Sequence, residues 1–446
     1  MKWIRKDVFN LTIPILTEQL FVISLGMVNT MMAGHIGKEA VSAIGMVDSI
    51  NNIFIAFFSA MAVGGMVVVA QFVGQGNIKK ANATMKQALY SGLIITFLVT
   101  ILMWIFQGPI IAGLFGSADP LVINNARTYL GITLLTYPLI TIDLVANGLL
   151  RGAGDTKTPM KISIFMNIIN VSLTYTFINV LGMGIVGAAL GIAIARISGG
   201  IIILVVLIRG SRILKLSNIK EFKFDKSLLK LIFGIGIPAS IESLIFNGGK
   251  LITQIYIVDM GTIAIASNAI AGSIATMLNI PGNSLCIAAT AIVGKHMGRG
   301  NSKEAEKALA YITKLSTISL VVVALVFIPF AGRIASLFTN NQEIINLAAA
   351  VLIVNSLCIP IWSISFVLPA GLKGAGDVKY TLITTIIGMC LFRITLGYLL
   401  GIVLHFGLVG VWIGMVIDWV VRGTLYLIRF VKGKWKGKTV IKINSL

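Results

Sequence analysis

Residues 11–20 read LTIPILTEQL and residues 235–244 read IGIPASIESL. Each stretch places a glutamate four residues after an Ile-Pro pair: Ile13-Pro14 with Glu18 and Leu20, then Ile237-Pro238 with Glu242 and Leu244. The offset is 224 residues (14 to 238), and it holds further along, where Gly74, Gly76, Asn77, Lys79 and Ala81 return as Gly298, Gly300, Asn301, Lys303 and Ala305. Arg151-Gly152-Ala153-Gly154-Asp155 with Lys157 returns as Lys373-Gly374-Ala375-Gly376-Asp377 with Lys379 at an offset of 222 (152 to 374). Gly184-Ile185-Val186-Gly187 with Gly191 returns as Gly407-Leu408-Val409-Gly410 with Gly414 at 223 (184 to 407). Four blocks in one order at a nearly constant offset mark a duplicated chain, with residues 11–208 laid over 235–430.

The rest of the composition says what is duplicated. With 57% hydrophobic and 12% charged residues and a mean hydropathy of +0.95, the chain is too apolar for a soluble domain, whose charged share is about a quarter. A hydrocarbon core about 30 Å thick needs spans of about 20 apolar residues. Twelve such spans are read, at about 11–35, 40–73, 84–106, 121–148, 160–181, 184–209, 229–258, 263–294, 307–330, 344–370, 380–404 and 408–431. The fold class expected is an all-α integral membrane protein with about twelve transmembrane helices in two six-helix repeats. An even number of spans per half makes the repeats parallel, related by an axis along the membrane normal, with a binding cleft expected between them. The expected domains are an amino-terminal lobe over 1–210, a basic cytoplasmic linker over 211–228, a carboxy-terminal lobe over 229–431 and a basic tail over 432–446. The first apolar run is too long for a signal-peptide core, so no cleavable leader is expected.

The net charge of +20 reads as topology. Lys2, Arg5 and Lys6 precede the first span; Lys79, Lys80, Lys86, Arg151, Lys157 and Lys161 fall at even-numbered connections; Arg209, Arg212, Lys215, Lys220, Lys223, Lys226 and Lys230 join the halves. Lys295, Arg299, Lys303, Lys307, Lys373 and Lys379 repeat the pattern, and Arg429, Lys432, Lys434, Lys436, Lys438 and Lys442 follow the last span. The opposite side holds only Lys38, Arg127 and Arg333. Positive residues at span ends favour the cytoplasm. Both termini are therefore expected inside the cytoplasmic membrane, with the basic surface touching anionic lipid and no nucleic acid as partner. Cys286, Cys358 and Cys390 fall in apolar spans as small buried side chains. His35, His296 and His405 stand near span ends without metal-ligand spacing, so neither metal nor cofactor is expected.

Taken together these blocks resemble the multidrug and toxic compound extrusion family. The resemblance rests on Val28-Asn29-Thr30-Met31-Met32-Ala33-Gly34, on Leu149-Leu150-Arg151-Gly152-Ala153-Gly154-Asp155-Thr156, on Gly236-Ile237-Pro238 with Glu242 and Lys250, and on Val411-Trp412-Ile413-Gly414 with Asp418, Trp419 and Arg422. It spans nearly the whole chain. It implies two six-helix lobes around a V-shaped cavity, exporting organic cations in exchange for protons or sodium ions, and a monomer is expected. The chain departs from that family where coupling is concerned. Asn29 and Thr174 stand where members often carry aspartates, and Ser363 where others have one in the tenth span; Asn29, Asn170 and Thr174 still offer oxygen ligands.

Ionisable groups inside spans are costly, about 3 kcal/mol each at a helix centre, and so tend to face a cavity or a partner. Glu18 and Glu242 each follow a proline by one turn. Proline removes a backbone hydrogen bond and bends the helix, which makes Pro14 and Pro238 the expected hinges. Burial disfavours a charged carboxylate, so such a glutamate suits proton exchange in competition with a cationic cargo, its occupant biasing the lobes inward or outward; the alternative is that each hydrogen-bonds to a neighbouring helix and only holds its lobe together. Both glutamates look isolated from other acids, which favours protons over sodium. Lys250 lies eight residues beyond Glu242, on nearly the same face, and is expected to repel a cation, to stabilise the empty carboxylate, or to pair structurally with another helix. Asp48 with Asn51, and Asp143 with Asn147, are polar turns expected to line the amino-terminal cavity or to join helices. Phe246, with Met27, Met31, Phe54 and Tyr256, offers aromatic or thioether surface to flat cargo. Asp418 and Arg422, four apart, read as a structural ion pair, and Arg196 and Arg393 as packing anchors. The GAGD turns lack the strand and Lys-Ser/Thr ending of a phosphate loop, so no ATP machinery is visible. A lipid-linked oligosaccharide flippase is the alternative within transport, although the candidate cavity reads as acid and amide rather than basic. An intramembrane enzyme would need clustered aspartates, a His-Glu metal motif or a nucleophile beside a base, and none is present.

Overall fold

The computed structural model describes residues 2–34, 36–115, 119–211, 213–217 and 223–442. His35, Arg212 and Lys220 lie outside the described residues, as do the side chains of Lys2, Met27, Thr30, Met31, Ala33 and Lys38. The described residues are helical almost throughout. The helices are α1 (Lys2–Gly34), α2 (Lys38–Gly74), α3 (Ile78–Phe115), α4 (Pro120–Leu134), α5 (Tyr137–Gly152), α6 (Lys157–Tyr175), α7 (Gly184–Arg209), α8 (Lys226–Asp259), α9 (Thr262–Leu278), α10 (Ile280–Gly298), α11 (Ser302–Phe327), α12 (Ala331–Ser336), α13 (Gln342–Ala375), α14 (Val378–Ile386), α15 (Thr395–Tyr398) and α16 (Gly407–Val431). Wide π-helical turns extend α6 through Thr176–Val180 and join α14 to α15 through Ile387–Ile394.

Ten of these segments are long and apolar enough to cross a bilayer, and twelve if two bent pairs each count as one span. The pairs are α4–α5, bent by 54°, and α9–α10, bent by 50°. Uninterrupted spans were expected over 121–148 and 263–294. Proline explains the breaks: Pro138 and Pro281 stand in the first turns of α5 and α10, where a missing N–H is harmless and a fixed φ starts a new helix. The breaks are not repeat equivalents, since α13, the counterpart of α4–α5, runs on through Pro360 and Pro369.

Two compact units emerge, Ile13–Ser240 and a second made of Met1–Thr12 with Ile241–Leu446. The lobes were expected to part at the basic linker. The unit boundaries fall instead beside Pro14 and Pro238, inside α1 and α8, so each of these helices contributes to both units.

Within the amino-terminal unit, α2 lies against α3, α4 and α5, and α7 against α4, α5 and α6. Within the carboxy-terminal unit, α13 lies against α9, α10, α11 and α16. One contact is the same in both. A Cβ on Gly152 of α5 would sit 2.4 Å from the carbonyl oxygen of Met66 on α2, and one on Gly374 of α13 would sit 2.4 Å from that of Thr290 on α10. Met66 and Thr290 are themselves 224 residues apart (66 to 290), so the duplicated chain repeats a backbone approach that only glycine permits. The turns that follow act as fasteners rather than phosphate cradles. Asp155 accepts from Thr158 Oγ1 at 2.7 Å and from Ser211 Oγ at 2.5 Å, while Asp377 accepts from Arg429 Nε at 2.7 Å and Nη2 at 3.0 Å.

Gly152→Ala and Gly374→Ala are each expected to lower the thermal unfolding temperature of the detergent-solubilised protein, by an overpacking penalty of about 1–3 kcal/mol. Gly108→Ala, where an added Cβ meets nothing within 4 Å, is the control and should leave it unchanged.

Candidate functional site

In the amino-terminal unit α5 sets Asp143, Asn147 and Arg151 four residues apart on one face. Glu18, one turn beyond Pro14 on α1, meets that face. Arg151 Nη2 donates to Glu18 Oε1 at 2.6 Å, Asn147 hydrogen-bonds to Asp143, and Asp143 lies within electrostatic reach of both Glu18 and Arg151. Glu18, Asp143 and Asn147 are buried, at 5%, 8% and 7% exposure. Each keeps one oxygen without a partner among the described residues: Glu18 Oε2, Asp143 Oδ1 and Asn147 Oδ1. Two carboxylates against one guanidinium leave a formal charge of −1 in an apolar setting. That arrangement is balanced by taking up one cation.

The other amino-terminal candidates do other work. Tyr137 OH donates to Asn51 Oδ1 at 2.6 Å, Asn51 Nδ2 reaches Asp48 Oδ1 at 3.5 Å, and Arg196 donates to Thr136 Oγ1 at 3.4 Å. Thr136 and Tyr137 stand at the α4–α5 break, so Asp48, Asn51 and Arg196 tie α2 and α7 to it. Thr174 donates to Asn170 Oδ1 at 3.0 Å within α6. No hydrogen bond joins Asn29, Asn170 or Thr174 to Glu18 or Asp143 among the described residues; Asn29 keeps a buried Oδ1 without a partner.

In the carboxy-terminal unit the matching glutamate is fully satisfied. Glu242 Oε1 accepts from Lys373 Nζ at 2.7 Å and Oε2 from Thr381 Oγ1 at 2.9 Å. Arg151 and Lys373 are repeat equivalents, so both glutamates pair with the base that closes the equivalent helix. Asp418 and Arg422 form the expected ion pair, buried and doubly bonded at 2.7 and 2.8 Å; Gly388 leaves the space it fills.

Lys250 has no bond to Glu242. It lines a cavity of about 450 Å³ together with Phe246 and Gln254 of α8, Asn268 of α9, Asn279 and Asn283 at the α9–α10 break, Asn355, Trp362 and Phe366 of α13, Arg393, and Trp412 and Trp419 of α16. The lining includes two cations and no Asp or Glu. This cavity, within the carboxy-terminal unit, is one of base and amide, and Arg393 stands on its wall. Trp412 Nε1 donates to Asn268 Oδ1 at 2.9 Å, and Asn268 Nδ2 to Gln254 Oε1 at 3.0 Å. Trp362 stacks on Phe366 at 4.5 Å between centroids. Lys250, Arg393 and Arg422 approach the Phe246 ring at 4.7, 5.6 and 5.4 Å from its centroid.

Sequence reasoning missed Arg151 and Lys373 as partners of the glutamates, counting them only as cytoplasmic charge. The signal was present in the four-residue spacing of Asp143, Asn147 and Arg151 and in the repeat equivalence of the two bases. It also took Glu18 as isolated from other acids, and Asp143 stands beside it.

Comparison with known proteins adds the family context. A family model, MatE, matches residues 14–176 and 238–399, one match in each half. The probable multidrug resistance protein NorM of Thermotoga maritima is 26% identical over 453 residues, covering 98% of this chain and 94% of the relative. The multidrug export protein MepA of Staphylococcus aureus is 23% identical over 385 residues, covering 86% and 84%. A crystal structure of a mutant Vibrio cholerae MATE transporter, VcmN, superposes with a TM-score of 0.90 at 19% identity, covering 97% of each chain.

Removing one partner of a buried ion pair costs about 3–5 kcal/mol, because the other charge is left bare. Arg151→Met, which strands two carboxylates, is expected to depress thermal unfolding in detergent more than Lys373→Met, which strands one that still has Thr381. Glu18→Gln combined with Arg151→Met should recover most of the loss. An Arg151→Met protein as stable as the wild type would rule out the assigned pairing.

Proposed function

The chain belongs to the MatE family, whose members are secondary transporters rather than enzymes, and from that premise we propose that it exports small organic compounds across the cytoplasmic membrane in exchange for protons, with both termini inside. Its multidrug relatives support a broad organic cargo. The observation that carries the coupling is the Glu18–Asp143–Arg151 cluster, one positive charge short of neutrality, with three buried oxygens lacking partners among the described residues. A proton suits it better than sodium. Hard metal ions gather about six oxygens, and here a guanidinium is fixed 2.6 Å from one of the carboxylates.

The coupling follows from the position of Glu18. Protonation of the cluster weakens the hold of Arg151 on Glu18, which is the tie between α1 and α5 one turn beyond Pro14. The amino-terminal unit begins at Ile13, so loosening that tie frees α1 to bend at its proline. A change that two states bind differently is what shifts their balance, and alternating access is driven in this way. Glu242 beside Pro238 keeps both oxygens bonded and acts as a latch rather than as the coupling group. Organic cations, the cargo implied by the family resemblance, find no carboxylate in the Lys250 cavity, so export here does not rest on a positive cargo. The two cations of that cavity would also suit the pyrophosphate of a lipid-linked oligosaccharide, but the family match in both halves favours the efflux reading.

The test uses the protein reconstituted in vesicles, with a pH or a sodium gradient imposed separately and movement of a fluorescent organic compound followed. Transport is expected with the pH gradient alone. Asp143→Asn and Glu18→Gln should abolish the response by at least tenfold while the protein remains inserted. Transport driven by sodium alone, or unimpaired proton coupling in both variants, would remove the cluster from the mechanism.

A further inference from the structure

The acids buried among the carboxy-terminal helices are each paired with a base. Glu242 is answered by Lys373, Asp418 by Arg422 and Asp377 by Arg429. Lys250 and Arg393 both line the 450 Å³ cavity, and neither forms a salt bridge among the described residues; Asp418, within electrostatic reach of Arg393, is already doubly bonded to Arg422. The Phe246 ring holds both by its face, at 4.7 and 5.6 Å. A ring quadrupole positions cations without cancelling their charge, so the cavity keeps a formal charge of +2 in an apolar unit. Arg422, the third cation on that ring, is already neutralised by Asp418.

The rest of the wall is aromatic and amide. Trp362 stacks on Phe366 at 4.5 Å, Trp419 meets Phe366 edge-on at 6.4 Å, and Trp412 is locked to Asn268. These are flat, preorganised surfaces, and the volume lies within the range of about 300–1,000 Å³ typical of small-molecule sites. Paired donors on Lys and Arg recognise carboxylate oxygens through charge-assisted hydrogen bonds, and the indoles beside them recognise a ring.

We propose that this cavity is a cargo site for aromatic carboxylates, with Lys250 and Arg393 holding the carboxylate and the Trp362, Trp412 and Trp419 surface holding the ring. The assignment rests on the transport reading above and gives it a cargo class. The charge balance of an exchanger then changes sense: a proton is drawn to the negative amino-terminal cluster and an anionic cargo to the positive carboxy-terminal cavity, so the two ligands need not compete for one carboxylate.

Equilibrium binding tests this without any gradient, so its outcome is independent of how transport is coupled. Isothermal titration of the full-length protein in nanodiscs of zwitterionic lipid would compare 1-naphthoate, 1-naphthylmethylammonium, which carries the same ring with the opposite charge, and glycerol phosphate as a lipid-headgroup probe. Binding of naphthoate at least tenfold tighter than of either other probe is expected. Lys250→Gln should weaken naphthoate by about tenfold, and Lys250→Glu should reverse the preference toward the ammonium compound, a gain that a merely misfolded variant does not produce. Tighter binding of the ammonium compound or of glycerol phosphate to the wild type, no heat from naphthoate, or unchanged naphthoate affinity in Lys250→Gln would overturn the assignment.

Discussion

A charge held in hydrocarbon has to be answered by another charge, and the acids buried among the carboxy-terminal helices obey that demand. Glu242 with Lys373, and Asp418 with Arg422, are closed accounts between named atoms at 2.7–2.8 Å. Their role is to hold α8 to α13 and to secure the inner face of α16. What remains after they are set aside is small and specific: a negative remainder around Glu18, Asp143 and Arg151 in one unit, and a positive remainder at Lys250 and Arg393 in the other. The functional reading follows from those two remainders rather than from the fold, which alone would serve many kinds of cargo.

Duplication supplied the frame, and divergence within it supplied the polarity. The shared parts are backbone matters: the proline bends at 14 and 238, the approaches at Gly152 and Gly374, and the base that meets each glutamate. The differences are side chains at equivalent places. Moving 222 positions along the chain carries Asp143 to Ser365 and Asn147 to Pro369, so the second half lacks both groups that make the first cluster negative. Thr381 then supplies the second bond to Glu242. Moving 224 positions back carries Lys250 to Gly26 and Phe246 to Val22, so the first half lacks the cation and the ring that shape the second cavity. One ancestral bundle has thus become two units with opposite electrostatic character.

Much of this was legible in the sequence. The repeat offsets define the halves, apolar length defines the spans, and the spacing of Pro14 to Glu18 and Pro238 to Glu242 marks the paired acids. The helix breaks at Thr136 and Asn279 were not read, although Pro138 and Pro281 signalled them, because apolar length alone does not distinguish one bent span from one straight one. The unit boundaries inside α1 and α8 were missed because composition changes at the basic linker, whereas packing changes at the prolines. The polarity of the Lys250 cavity was out of reach for a different reason. Whether Arg393 and Glu242 share a wall depends on the rotation of several helices about their axes, and the π-helical stretch that carries Arg393 shifts that rotation away from a regular 3.6-residue period.

The central claim is that the exchangeable proton sits at the Glu18–Asp143 cluster and not at the symmetric glutamate of the other unit. Difference infrared spectroscopy of the purified protein, titrated through neutral pH, reads that proton directly as a carboxyl band appearing at the expense of a carboxylate band. A single such band, lost in Glu18→Gln or Asp143→Asn and retained in Glu242→Gln, is the predicted result. A band that survives both amino-terminal substitutions, or that vanishes only with Glu242→Gln, would contradict the account.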